Sequence, residues 1–126
     1  MSAAKHTGLI LFAHGSRDSQ WRTPFESMLE QLQRDDHHVS MLAFLECMEP
    51  SLPEAIDSLV AQGIQKITVV PVFLAVGSHV RKDLPLLLEH ARKKHPSVEI
   101  LASAAIGEQP EIQLAIAHFA RKAATI

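Results

Sequence analysis

Ile67-Thr-Val-Val-Pro-Val-Phe-Leu-Ala-Val76 runs straight into Gly77-Ser78-His79. The apolar run is rich in β-branched residues and too short to cross a membrane, so it reads as a buried strand. The same design occurs near the N-terminus, where Leu9-Ile-Leu-Phe-Ala13 leads into His14-Gly15-Ser16-Arg17. In an open parallel sheet, ligands bind beyond the carboxyl ends of the strands. Two imidazoles therefore stand where such a fold does its chemistry, and imidazole is the commonest side-chain ligand of transition metals.

Outward from these runs the chain alternates strand and helix. Strand one covers about Thr7–Ala13, and Phe25, Met28, Leu29 and Leu32 then fall at helical spacing, with Asp18 or Ser19 as the cap. Strand two is about Val39–Leu45. Ser51-Leu-Pro-Glu54 matches a capping box, Leu52, Ala55, Ile56, Leu59 and Val60 continue the helical period, and Gly63 stops it. Strand three is about Lys66–Leu74, with Pro71 marking a bulge or a local edge because proline removes a ladder donor. A helix carrying Leu84, Leu87, Leu88 and Ala91 ends before Pro96, and strand four is about Val98–Ala102. The last helix follows Pro110, with Ile112, Ala115, Ile116, Phe119 and Ala120 expected to face inward. The βαβαβαβα order predicts an α/β fold, a four-stranded parallel sheet flanked by helices on both faces.

The chain of 126 residues fits a single domain over 1–126 and can bury roughly two-thirds of its unfolded surface. Its net charge of −2 argues against a dedicated nucleic-acid binder. No run is long enough to enter a membrane, and Cys47 is the only cysteine, which suits a reducing cytoplasm.

The carboxyl-end loops, Ala13–Gln20, Glu46–Ser51, Ala75–Lys82 and Ser103–Gln109, carry His14, Arg17, Glu46, Cys47, Glu49, His79, Arg81, Lys82 and Glu108. Two imidazoles and a carboxylate on separate loops suit divalent iron, cobalt or nickel with open positions. Gly15 and Gly77 beside the histidines would let the backbone approach a bulky ligand. Taken singly, each histidine reads equally as a strand-end side chain bound to a carbonyl. Glu46 and Glu49 read also as first-turn partners of a helix dipole, and Cys47 as a small buried side chain. Arg17, Arg22, Arg81 and Lys82 form either a solvated surface or a cationic rim for a polyanionic substrate. There is no dinucleotide fingerprint, Walker A loop or nucleophile elbow. Phe12-Ala13 precede His14, where a histidine phosphatase would place the arginine that clamps phosphate.

Leu11-Phe-Ala-His-Gly-Ser-Arg17, Ala43-Phe-Leu-Glu-Cys-Met-Glu-Pro50 and Val69-Val-Pro-Val-Phe-Leu-Ala-Val-Gly-Ser-His-Val-Arg-Lys-Asp-Leu-Pro85 together resemble the CbiX/SirB family of class II sirohydrochlorin chelatases. The resemblance covers essentially the whole chain, and it is strongest to the short, single-domain form of CbiX. It implies a chelatase-like (flavodoxin-like) three-layer sandwich that inserts Co²⁺, or alternatively Fe²⁺ or Ni²⁺, into sirohydrochlorin. Under it His14, His79 and Glu46 are the metal and catalytic residues, and the Gly-x-His then Asp-Leu-Pro pattern is met by Gly77, His79, Asp83 and Pro85. Arg17, Arg81 and Lys82 become partners for substrate carboxylates. The metal is a substrate and no tightly bound cofactor is expected. The partners are the tetrapyrrole and, in a homodimer, a second copy. The residues by themselves leave open a metal carrier or sensor using the same histidines, and a phosphoryl-transfer domain built on His14.

Overall fold

A computed structural model describes residues 6–34 and 37–125. The elements are β1 (Thr7–Ala13), a 3₁₀ turn (Ser19–Arg22), α1 (Thr23–Gln33), β2 (Val39–Phe44), α2 (Leu52–Ala61), β3 (Lys66–Pro71), α3 (Ser78–Lys94), β4 (Glu99–Ala102), a second 3₁₀ turn (Ile106–Glu108) and α4 (Pro110–Ala124). All strand pairs are parallel, in the order β2-β1-β3-β4. The predicted α/β architecture holds. The chain leaves β1 for β2 on one side and returns to β3 on the other, so the order reverses between β1 and β3. Ligand crevices of open α/β sheets lie at such a switch point.

Pro71 is the local edge its chemistry requires. The Val69 carbonyl accepts from Ser103 N–H, and Val72 N–H donates to the Phe12 carbonyl on the opposite side. By that alternation the missing Pro71 N–H faces β4, whose last pair with β3 is Val69 with Ala102. No ladder bond is lost there, and β3 ends at Pro71 rather than at Leu74.

The sheet has two unlike faces. On one, Ile10, Phe12, Ile67, Val69 and Ile100 meet Leu52, Ala55, Ile56 and Leu59 of α2 and Leu88 and Ala91 of α3, all buried. The predicted capping box starts α2. Ser51 N–H donates to Glu54 Oε1 at 2.8 Å, and Glu54 N–H donates to Ser51 Oγ at 3.3 Å. Between the helices, Asp57 accepts from Lys94 Nζ at 2.9 Å and contacts His95 Nε2 at 2.7 Å. These two partners, first Lys94 and then His95, hold the Asp57 carboxyl below its ordinary range.

On the other face Leu11, Ala13, Leu42 and Phe44 pack beneath Trp21, Phe25, Leu29 and Leu32. Asp18 caps the 3₁₀ turn ahead of α1, through Gln20 N–H, rather than α1 itself. The expected inward stripe of α4 is corrected here. The helix contains no buried residue, Ile112 alone of the predicted set is partly covered, and Ala115, Ile116, Phe119 and Ala120 are exposed. Its period was read correctly, but α4 packs against the short turn before it and leaves the sheet uncovered.

Candidate functional site

Both predicted histidines lie at the switch-point edge. β1 ends at Ala13, so its extended backbone delivers His14 directly past the carboxyl end of the sheet. There His14 Nε2 meets Glu46 Oε1 at 3.0 Å, with both side chains about half exposed. The Phe73 ring stands edge-on to His14 at 6.4 Å and also packs edge-on against Phe12. Phe73 thus orients the imidazole from the segment after β3.

The loops after β1 and β2 are joined by backbone. Leu45 N–H donates to the Ala13 carbonyl at 2.9 Å, and Glu46 N–H to the His14 carbonyl at 3.1 Å. Gly15 makes this possible. Its φ is +93°, and a β-carbon there would fall 1.8 Å from the Glu46 carbonyl oxygen. The close approach expected of Gly15 is made to Glu46 rather than to a ligand. Gly77 is extended, with open space where a β-carbon would stand.

His79 is not in a strand-end loop. It occupies the first turn of α3, where Asp83 Oδ2 lies 3.1 Å from His79 Nε2. That contact follows from helical geometry, since residues four apart share a face. Both imidazoles thus meet a carboxylate, one across two loops and one along a helix. Glu46 was expected at the site, whereas Asp83 was named only for its match to the family pattern, and its contact with His79 was not anticipated although the spacing within one helix carried the signal. Phe73 was missed because only the packing of the loop reveals it.

Among the described residues no three His, Cys, Asp or Glu side chains form a metal-holding group. His14, Glu46 and His79 are therefore not gathered into one cluster. An open groove of about 740 Å³ adjoins the His14 loop, lined by Ser16, Arg17, Arg22, Cys47 and Glu49 among others. Arg17 is exposed in it with no hydrogen-bond or ion-pair partner among the described residues. Arg22 is engaged instead, donating to the Glu49 carbonyl at 2.8 Å and lying over the Phe44 ring. Arg81 donates to the Val76 carbonyl at 2.9 Å, and Lys82 is exposed. The expectation of a buried Cys47 fails. Cys47 is exposed, with a left-handed φ of +66°, because the turn after Glu46 holds it outside the core.

The CbiX family model matches residues 8–123. The sirohydrochlorin cobaltochelatase of Methanothermobacter thermautotrophicus is 37% identical over 81 residues, 64% of this chain and 57% of that protein. Its counterpart from Saccharolobus islandicus is 40% identical over 81 residues, 64% and 62% respectively. The match thus spans less than two-thirds of either relative's length. Among solved structures, a CbiX protein of cobalamin (vitamin B12) biosynthesis from Marinobacter aquaeolei aligns with a TM-score of 0.84 at 35% identity, over 94% of this chain and 95% of that one. The sirohydrochlorin chelatase SirB from Bacillus subtilis subspecies spizizenii, in complex with cobalt, aligns with a TM-score of 0.79 at 27% identity, over 92% of this chain and 50% of that one. With its strand order, its two histidines at the switch-point edge and a family match over nearly its whole length, the chain belongs to the CbiX family.

Proposed function

We propose that this chain is a sirohydrochlorin chelatase, a single chelatase domain over 1–126 that inserts Co²⁺ into the tetrapyrrole. Fe²⁺ and Ni²⁺ are the alternative metals, because imidazole and carboxylate accept all three. The observation that carries the reading is the pair of carboxylate-held imidazoles, His14 with Glu46 and His79 with Asp83, at the carboxyl edge of this family's fold. The relatives named for cobalt chelation support the substrate and the metal.

A hydrated divalent ion enters a tetrapyrrole only after losing water and after two pyrrole N–H protons leave. His14 and His79 take the ion as substrate, replace part of its water and direct it to the ring. Imidazole also accepts protons at cellular pH, so the same side chains receive those of the pyrroles. Glu46 orients the His14 imidazole it contacts, or completes the coordination and removes a proton. Arg17 and Lys82 face the substrate's carboxylates, and Arg81 contributes the guanidinium donors that Val76 does not use. The working form is a homodimer, as the resemblance to the short form of CbiX implies. The lone Cys47 agrees with a cytoplasmic setting. No helix among the described residues is long and apolar enough to cross a membrane.

The test is anaerobic optical titration of sirohydrochlorin with Co²⁺, Fe²⁺ and Ni²⁺ in turn, against a control without protein. We expect accelerated insertion that falls by about 10²- to 10⁴-fold in His79→Ala and in His14→Ala. Insertion at the wild-type rate by His79→Ala would overturn the mechanism. Folded protein that accelerates no metal would overturn the activity.

A further inference from the structure

The loops at the carboxyl edge lean on one another in strand order, β2-β1-β3-β4. Glu46, after β2, meets His14, which follows β1, and His14 meets the ring of Phe73, which follows β3. The loop after β4 completes the series through Gly107. Its N–H donates to the Phe73 carbonyl at 3.0 Å, and a β-carbon on Gly107 would fall 1.7 Å from the Leu74 carbonyl oxygen. Gly107 thus repeats at one end of the edge what Gly15 does at the other, since the absent side chain lets one loop rest on the backbone of the next. Backbone does not yield as the tip of a flexible side chain does. Any other residue at 107 has to displace the Phe73–Leu74 peptide.

Phe73 is pinned from both sides. Ahead of it Val72 N–H donates to the Phe12 carbonyl at 2.8 Å, and behind it stands the bond from Gly107. Between these ties the Phe73 ring turns inward, edge-on to Phe12 at 5.9 Å and to His14 at 6.4 Å, while Leu74 is left exposed. Rings at such separations favour edge-to-face packing. The turn that carries Gly107 is fastened in its own right from α4, where Gln113 Nε2 donates to the Gly107 carbonyl at 2.9 Å.

We propose that Gly107 is a positioning residue for metal insertion, holding the Phe73 ring against the His14 imidazole from the loop after β4. It acts through Phe73 and contributes no side chain to the site. Glu46 holds one ring nitrogen of His14, and the Phe73 ring limits how the imidazole turns about that contact. A misplacement of about 1 Å can cost about 10²-fold in rate, so a shifted Phe73 peptide reaches the chemistry with every ligand still present.

The proposal rests on the reading of His14 as a residue of the insertion site, but its first test needs no substrate. In ligand-free protein the nuclear magnetic resonances of the His14 ring protons sense the ring current of Phe73. Phe73→Leu should move them, and Gly107→Ala should move them in the same direction. Added to Phe73→Leu, Gly107→Ala should move them no further, because effects that run through one shared partner do not add. Unmoved His14 signals in Gly107→Ala would overturn the proposal, as would a full further shift in the double variant. Gln113→Ala loosens the turn without adding bulk, and it takes the place of Gly107→Ala if that protein does not fold. It should give a smaller shift of the same sign, and in that event unmoved signals overturn the proposal too. In the insertion assay Gly107→Ala should lower kcat by about 10- to 100-fold and leave the KM for sirohydrochlorin near that of wild type. A raised KM with kcat unchanged would place Gly107 against the substrate and overturn its action through His14. Folded wild type that inserts no metal would overturn the proposed activity and leave the resonance test standing.

Discussion

Leu59 and Leu101 stand on opposite sides of one sheet, the first fully buried and the second 40% exposed. Leu59 belongs to the face closed by α2 and α3, where strand and helix residues interlock without gaps. Leu101 belongs to the face on which α1 packs over β1 and β2, and among the described residues no buried helical residue covers it on that side. The two faces have the same βα grammar and similar apolar periods. What separates them is whether the helix that follows a strand returns to the sheet. The closed face provides the rigid support from which α3 presents His79. The open face keeps apolar side chains such as Leu101 in contact with solvent.

Four measurements would break or sharpen this contrast. The largest effect is expected on the closed face, where Leu59→Ala leaves a cavity beside Ile56 and Ile67. Chemical denaturation should show a loss of about 3 kcal/mol, and a loss under about 1 kcal/mol would mean that this core collapses easily. Next is Ser51→Ala, which removes the side-chain acceptor of the α2 capping box. It should cost about 1 kcal/mol, measured the same way.

The smallest effects concern charge on the closed face and bulk on the open one. Asp57 is held below its ordinary pKa, chiefly by Lys94. A lowered carboxyl stabilises the fold fully above its unfolded value, and that contribution disappears as pH falls through the folded value. Wild type should therefore lose stability on acidification below about pH 4 more steeply than Asp57→Asn. Water around the partly exposed pair keeps the difference under about 1 kcal/mol. Leu101→Ala, at a side chain 40% exposed, should stay within about 0.5 kcal/mol. A large loss there would mean that α4 covers β4 of its own chain.

Much of this molecule was legible in its residues because local signals agreed with one another. Buried strands were marked by runs such as Leu9–Ala13, and α2 was bounded by Ser51 and Gly63. The pairing of His14 with Glu46 could be anticipated, since His14 directly follows β1 and Glu46 lies two residues past the end of β2. Several features were misread for physical reasons, two of them most plainly. The helical period of Ile112, Ile116 and Phe119 states that one face is apolar but not what covers it. Cys47 was expected inside because cysteine is usually buried, whereas a left-handed turn holds it outside. His79 and Asp83 lay at i, i+4, but that spacing acquires meaning only if the helix begins before His79, as it does at Ser78.

The sequence alone determined the order of strands and helices, the parallel class, the two imidazoles and the family resemblance. These depend on periodicity, caps and motifs within short spans of chain. Only the tertiary structure decided that β1 and β3 are neighbours, that Gly15 brings the first two loops into contact, and that α4 leaves its own sheet uncovered. Strand order and helix docking depend on which distant surfaces fit one another, a choice made by long-range packing rather than by any local pattern.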